Sequence, residues 1–594
     1  MTSVRASLAF ALALLAGGLS SGSRLAASPT PLGLAHQRLE LPGVPVQTFA
    51  VDLDLDGRRD LAVVVAATSW GEVGFEDSMQ GGEDGAFVDV LTVIPAVLDR
   101  RELLVFFGGA GPGFAAEAVR LELPQTVHAI EAGPPSAPLV AWTDDGVAEI
   151  ALTPERGLEL VPRIVERTRF AGSASYLPRS GLAADLDGDG DSDLFVPVAA
   201  GLAVHLSGES GVAASAAALV PPPAPEPPPP PRTPGGLAPP PIAEDRRTRR
   251  ESTPGFGAPH RGATQEILLP QVIDLNGDRR PDLLYRGSQP GRDELRVRLN
   301  LGAGQFGTAF DPLPGMIDAA PAAAGSPATE VASPEVVWLG DLDGDGQAEV
   351  VTSEEIASGK HSIRAELEEA KRPQSRLRVH ALGADSIWKP TPKAEFAVEG
   401  YVFEGGGSDE SAAGEEGGGS FSFPSGVRDL DGDGRLDFVA LKLDFSLFEA
   451  MRVLATKSIK LGLDFAIYRQ GEGLSFRPVP GLDLAGELRL RLDSMSIGQL
   501  SSFAGDFDGD GRADFVQLGR GRRVTIHRGQ AGATYASEPD LAVTLEREPL
   551  DVALVAVSDF DGDGRSDLCV TQPVGGKEIG ARAALDLYLS GGAP

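Results

Sequence analysis

The chain has 594 residues, of which 42% are hydrophobic and 6% aromatic, with a formal net charge of −33. That charge argues against a nucleic-acid partner, which needs basic patches, and the apolar fraction is ample for a packed core. Gly 74 and Pro 47 point to many tight turns rather than long helices.

The first residues read as an export signal over 1–27. Arg5 precedes an apolar run from Ala6 to Leu19, and small residues follow at Ser20 to Ser23 and at Ala26 and Ala27. The run is short for a membrane span, and no other segment qualifies as one. This predicts a protein that is extracellular, periplasmic or held at the cell surface. Cys569 is the only cysteine, so no intrachain disulfide forms. It falls in a predicted strand and reads as a small buried residue rather than a nucleophile.

A lone strand from Gln37 (QRLELPG) comes next, and then a nine-residue phrase that recurs seven times. Its copies begin at Asp52, Asp185, Asp274, Asp341, Asp429, Asp506 and Asp559. Positions 1, 3, 5 and 9 carry oxygen donors. They are Asp52, Asp54, Asp56 and Asp60; Asp185, Asp187, Asp189 and Asp193; Asp274, Asn276, Asp278 and Asp282; Asp341, Asp343, Asp345 and Glu349; Asp429, Asp431, Asp433 and Asp437; Asp506, Asp508, Asp510 and Asp514; and Asp559, Asp561, Asp563 and Asp567. Carboxylates are hard donors of the kind Ca²⁺ takes, and a glycine at position 6 lets the chain turn sharply enough to gather them. Only the third copy lacks that glycine, having Arg279 there and Asn276 at position 3, so it is the loop expected to bind most weakly. EF-hands need a glutamate at position 12, where this chain has Val63, Val196, Tyr285, Thr352, Ala440, Gln517 and Val570.

After each phrase comes a short apolar strand, such as LAVVV from Leu61 or LCVTQ from Leu568, and then a hairpin of alternating pattern, such as LRVRLNLGAGQF from Leu295. Strand, loop, strand, hairpin, strand is a four-stranded antiparallel blade, and blades repeated radially make an all-β propeller. The interval from Asp52 to Asp185 is nearly two units long. Within it the segment from Val127 has the same strand order, with GPPSAP where the carboxylates belong. Counting that unit gives eight blades; leaving it out gives seven. Pairing of the strand at Gln37 with the last strand, from Leu585, would close the ring and remove an open edge.

Several segments interrupt the repeats. Residues 219–262 are proline-rich with a basic cluster from Arg246 to Arg250, and are predicted to be extended or disordered. Residues 404–420 are rich in Gly, Ser and Glu, and 70–86 are acidic and Gly-rich; both read as loops. Ser353 to Lys371 and Phe445 to Lys457 look helical.

The repeated phrase, its hairpins and the sequence FGGAGP from Phe107 to Pro112 together resemble the FG-GAP/VCBS repeat of integrin α-subunit propellers and of many bacterial exported proteins. The resemblance runs over about 37–592 outside the insertions. It implies a propeller that holds Ca²⁺ in its blade loops through four side chains and the position-7 carbonyl, which here belongs to Arg58, Asp191, Arg280, Gln347, Arg435, Arg512 and Arg565. Two classes of function fit. One is an exported, calcium-stabilised, non-catalytic binding or adhesion module, expected to be monomeric, with a protein or glycan ligand. The other is a propeller lyase or hydrolase acting on polysaccharide or phosphoester. The second needs a cluster of acids and bases. Of seven histidines, His205, His380 and His527 repeat on hairpin strands and read as solvent-facing. His128 lies in an inner strand with no identifiable partner.

Overall fold

The computed structural model describes residues 32–67, 100–221, 270–312, 335–356, 372–402 and 419–591, less a few short internal stretches. The signal segment and residues 70–86 and 445–457, read above as leader, loop and helix, lie outside them, as do 222–262 and 404–418 of the two low-complexity insertions.

The alternating apolar strands build eight four-stranded antiparallel blades in a propeller. Blade 1 comprises Val44–Val51, Asp60–Ala67, Arg100–Phe106 and Val119–Leu123. Blade 2 is the unit without the phrase, at Val127–Ala132, Leu139–Thr143, Gly146–Leu152 and Leu158–Val165. Blade 3 has Ala183–Ala184, Asp193–Val198, Gly201–His205 and Ala218–Val220, and blade 4 has Gln271–Ile273, Asp282–Gln289 and Arg292–Arg298, with Phe310 bridging to Val297 on its outer side. Blade 5 has Glu335–Gly340, Glu349–Glu355, Gln374–His380 and Ala394–Glu399. Blade 6 has Gly426–Arg428, Asp437–Asp444, Ser458–Gly471 and Ser475–Pro478, and blade 7 has Ser496–Phe503, Phe515–Leu518, Arg523–His527 and Leu541–Thr544.

Blade 8 takes three strands from the C-terminal end, Val555–Ser558, Asp567–Val574 and Arg582–Ser590, and its fourth from the other end of the chain. Leu34–Leu41 pairs antiparallel with Arg582–Ser590, Leu34 opposite Ser590 and Leu41 opposite Ala583. The ring therefore closes across the chain's two ends, and the propeller begins three residues before Gln37. The register is pinned twice. Leu39 and Leu41 are buried in the core. The buried carboxylate of Asp586 meets His36 Nε2 at 3.2 Å and Arg38 Nη1 at 3.2 Å.

In the seven blades that have it, the phrase lies between the first and second strands, so it shares one face with the turn between the third and fourth. Apolar side chains between neighbouring blades form the core, with aromatic clusters such as Phe465, Phe503 and Phe515. Cys569 is buried among them, and burial pushes its thiol up to about 12.

Some boundaries differ from the sequence reading. Leu219 and Val220 belong to the outer strand of blade 3, where Val220 is buried, so the proline-rich insertion begins beyond them. Ser353 to Glu355 finish a strand of blade 5 rather than opening a helix; alternation with Val350 and Val351 outweighs the helical pattern. Residues 357–371 lie outside the described residues. Gly419 and Ser420, placed in a loop, pair with Val557 and Ala556 at the inner edge of blade 8. The third strand of blade 6 is also longer than its hairpin pattern suggests. Its first half, Ser458 to Asp464, pairs with Ala485–Arg491, which in turn joins blade 7, so blades 6 and 7 share one continuous sheet.

Candidate metal centres

Each phrase folds into the same tight loop, organised around its first carboxylate. In the copy at Asp506, Oδ1 accepts N–H bonds from Gly509 and Asp510, and Oδ2 accepts one from Gly511. The same arrangement recurs at Asp52, Asp185, Asp274, Asp341, Asp429 and Asp559. Folding the backbone around one side chain requires left-handed residues at positions 4 and 6. Position 6 has φ 81 at Gly434 and φ 64 at Arg279. Position 4 was missed by sequence reasoning. It is glycine in six copies, and in the first it is Leu55, exposed and held at φ 56. A Cβ on Gly188 would come within 2.7 Å of Arg279 O, and one on Gly277 within 2.6 Å of Gly346 O. The position-4 glycine is needed for space as well as for φ, because successive loops lie against one another.

Backbone hydrogen bonds join those loops. Ala348 N donates to Leu275 O, Leu436 N to Leu342 O, and Ser566 N to Asp506 O. The Arg59 guanidinium reaches Asp559 O, linking the last loop to the first.

The ninth position is the anchor. Asp60, Asp193, Asp282, Glu349, Asp437, Asp514 and Asp567 are all buried. One oxygen of each accepts the position-2 N–H, as from Phe507 to Asp514 at 2.8 Å. In all but Glu349 the other accepts an N–H at the end of the third strand, as from Gly529 to Asp514 at 2.8 Å. Burial pushes these acids up, neighbouring carboxylates add to it, and the N–H bonds offset only part. Asp193 rises to about 6, Asp282, Glu349, Asp437 and Asp514 to about 7, and Asp567 to about 8. Asp60 is raised for the same reason.

The loops converge carboxylate oxygens to within 4.8 Å of one another. Positions 1, 3 and 9 do so at Asp185, Asp187 and Asp193; at Asp341, Asp343 and Glu349; at Asp429, Asp431 and Asp437; and at Asp506, Asp508 and Asp514. In the first copy Asp52, Asp54 and Asp56 converge instead. The position-5 carboxylates are engaged by position 7 of their own loop. Its N–H donates to Asp56, Asp189, Asp278, Asp345, Asp433, Asp510 and Asp563. Its arginine side chain also pairs with Asp56, Asp278, Asp433, Asp510 and Asp563. At Asp278 burial acts to raise the carboxyl, but Arg280 outweighs it and the net shift is downward.

A divalent oxygen-seeking ion fits these residues. The buried Oδ1 atoms of Asp54, Asp343, Asp431 and Asp508 have no hydrogen-bond partner, and an unpaired buried carboxylate oxygen is costly unless a cation meets it. The donor set is all oxygen, as Ca²⁺ prefers.

The histidines depart from expectation. His205, His380 and His527 are buried, and each ring Nδ1 lies 2.9 Å from a carbonyl of the following turn, Ala213 O, Lys389 O and Ala536 O. They sit opposite the residue after the phrase, in register with Leu194, Val350 and Phe515. Arg298 and Tyr468 occupy the same register in blades 4 and 6, and Arg298 likewise reaches Gly307 O. The position is a turn-bracing polar site rather than a solvent-facing one. His128 does have a partner: its Nε2 lies 2.7 Å from Asp144 Oδ1, and its ring stacks on Phe170.

Fold and loops thus define the class: an eight-bladed β-propeller with acidic, metal-compatible loops on one face. Residues 274–352 and 506–570 match the FG-GAP-like repeat. The chain carries FG-GAP-like repeats within that propeller, consistent with the integrin α type. No curated protein matches the chain in sequence.

Proposed function

We propose that the protein is an exported, calcium-stabilised binding module that presents its propeller to a protein or glycan ligand and performs no catalysis. The observation that carries the calcium reading is the set of buried, unpartnered position-3 oxygens within loops of converging carboxylates. Bound Ca²⁺ would neutralise those oxygens and brace the turn between the first two strands of a blade. Export is supported by the apolar leader-like segment at Ala6 to Leu19, and adhesion by the kinship of the repeat with integrin-type propellers. No helix among the described residues is long and apolar enough to cross a membrane.

A glycan and protein binding screen, run with Ca²⁺ and again with chelator, tests the reading. A ligand that binds only in Ca²⁺ is expected; ligand binding indifferent to chelation would sink it. The His128–Asp144 pair is a feature that favours a hydrolytic or lyase reading, and turnover of polysaccharides or phosphoesters that is lost in His128→Ala would establish it.

A further inference from the structure

The position-3 carboxylates fall into two groups. In four loops a basic side chain from outside the loop holds Oδ2: Arg156 on Asp54 at 3.2 Å, Lys393 on Asp343 at 3.3 Å, Arg528 on Asp508 at 3.1 Å, and Arg469 on Asp431. These same four aspartates are the ones whose Oδ1 is buried and unpartnered. In the other three loops the Oδ1 of Asp187, Asn276 and Asp561 is taken by the N–H of position 5, from Asp189 at 3.3 Å, Asp278 at 3.0 Å and Asp563 at 3.3 Å. Among the described residues no base pairs with Asp187 or Asp561.

We infer that Arg156, Lys393, Arg469 and Arg528 are positioning residues that fix one oxygen of the position-3 carboxylate and so aim the other at the metal. The seven loops then form two affinity classes, a tighter one at Asp52, Asp341, Asp429 and Asp506 and a weaker one at Asp185, Asp274 and Asp559. This rests on the calcium reading of the loops and adds to it a rank order with a cause. In the first class the ligand oxygen is already turned inward and has no bond to give up; in the second it must leave an N–H before it can coordinate. Groups that orient a ligating carboxylate commonly change metal affinity by about 10–100-fold. A positive charge near a cation site acts in the opposite sense, and Lys393 and Arg469 also reach a second carboxylate of their loops, Glu349 Oε1 at 3.8 Å and Asp433 Oδ2 at 3.1 Å, whereas Arg156 holds Asp54 alone; positions 1, 5 and 9 supply three further carboxylates against that charge.

Blade 2 acquires a role through this device. It has no acidic phrase, yet the turn of its outer hairpin places Arg156, at φ 61 and over the ring of Phe107, on the Asp54 of blade 1. The blade that lacks a metal loop completes its neighbour's.

The test is Ca²⁺ titration of the full chain by calorimetry, with equilibrium dialysis to count bound equivalents. Wild-type protein should show a tight class of four equivalents. Arg156→Gln should move one of these to a class about tenfold weaker or more, and Arg156→Lys should restore it. Arg156 is mostly exposed, so the fold should tolerate the change. Lys393→Gln makes the same test at Asp343 should the first variant not fold. Unchanged or tighter binding by both Gln variants would overturn the inference alone. No Ca²⁺ binding by the wild type would overturn the calcium reading and this inference with it.

Discussion

Asp510 and Asp278 form a matched pair for measuring what the metal contributes. Both stand at position 5 of their loops. Each accepts the N–H of position 7 at 3.0 Å, from Arg512 and Arg280, and each pairs with that arginine's guanidinium at 2.6 Å. Truncation to alanine removes these contacts in both, and Asp278 also loses a bond donated by Asn276 Nδ2 at 3.3 Å, so in EDTA the loss in Asp278→Ala should equal or exceed that in Asp510→Ala. They differ in what surrounds them. The Asp510 loop keeps Asp508 at position 3 and Gly511 at position 6. The Asp278 loop has Asn276 and Arg279 there, with one carboxylate fewer and a side chain in left-handed backbone. At a hundredfold excess of Ca²⁺ over Kd, a loop that binds only when folded contributes about 2.7 kcal/mol. Asp510→Ala should thus lose about 2–3 kcal/mol more than Asp278→Ala in saturating Ca²⁺ and no more than it in EDTA. Denaturant unfolding followed by tryptophan fluorescence, in both buffers, measures the double difference. Equal losses in Ca²⁺, or the reverse order, would refute the ranking of loops by ligand charge and turn glycine.

Metal-free protein should respond to pH in an unusual sense. The position-9 acids are raised in the folded state to about 6 at Asp193 and about 8 at Asp567, so the folded state holds protons that the unfolded state releases near pH 4. In EDTA, stability should therefore fall as pH rises from about 4 to 8, and saturating Ca²⁺, which needs these groups ionised, should flatten or reverse the slope; urea midpoints across that range would show it. Leu55→Gly and Arg279→Gly should each stabilise by about 1 kcal/mol, since glycine accepts positive φ without the penalty of a Cβ; unchanged thermal midpoints would mean the side chains supply compensating contacts. Arg38→Met should cost about 2 kcal/mol by leaving the buried Asp586 with only His36, less than the 3–5 kcal/mol of a fully buried pair because Arg38 is partly exposed. No loss in that variant would show that the closing strand is held by Leu39 and Leu41 alone.

The period of the acidic phrase made the blade and its repetition legible in the sequence, because ligand spacing and turn chemistry are both local. The unit from Val127 was legible too, through strand order alone. What escaped was whatever depends on residues distant in the sequence, in the same blade or the next. The glycine at position 4 is needed for space because of the next loop's carbonyl, as at Gly188 and Arg279 O. The bases that grip position 3 are distant in the sequence, 38 residues for Arg469 with Asp431 and 102 for Arg156 with Asp54. His205, His380 and His527 look alike on an alternating strand whether they face water or a turn carbonyl, and alternation does not say which face is covered. Ser353 to Glu355 look helical until the partner strand at Ser375 to Leu377 is known.

The join in blade 8 also has a temporal side. Leu34–Leu41 leaves the ribosome well before its partner Arg582–Ser590. At about 5–20 residues per second, synthesis separates the two by roughly half a minute to two minutes. Throughout that interval the early strand has no sheet to join, and its apolar residues, Leu39 and Leu41, must wait uncovered. The molecule thus works as a clasp that fastens only once Arg582–Ser590 has been made. A message truncated anywhere before the last strand would yield blades without a closed ring.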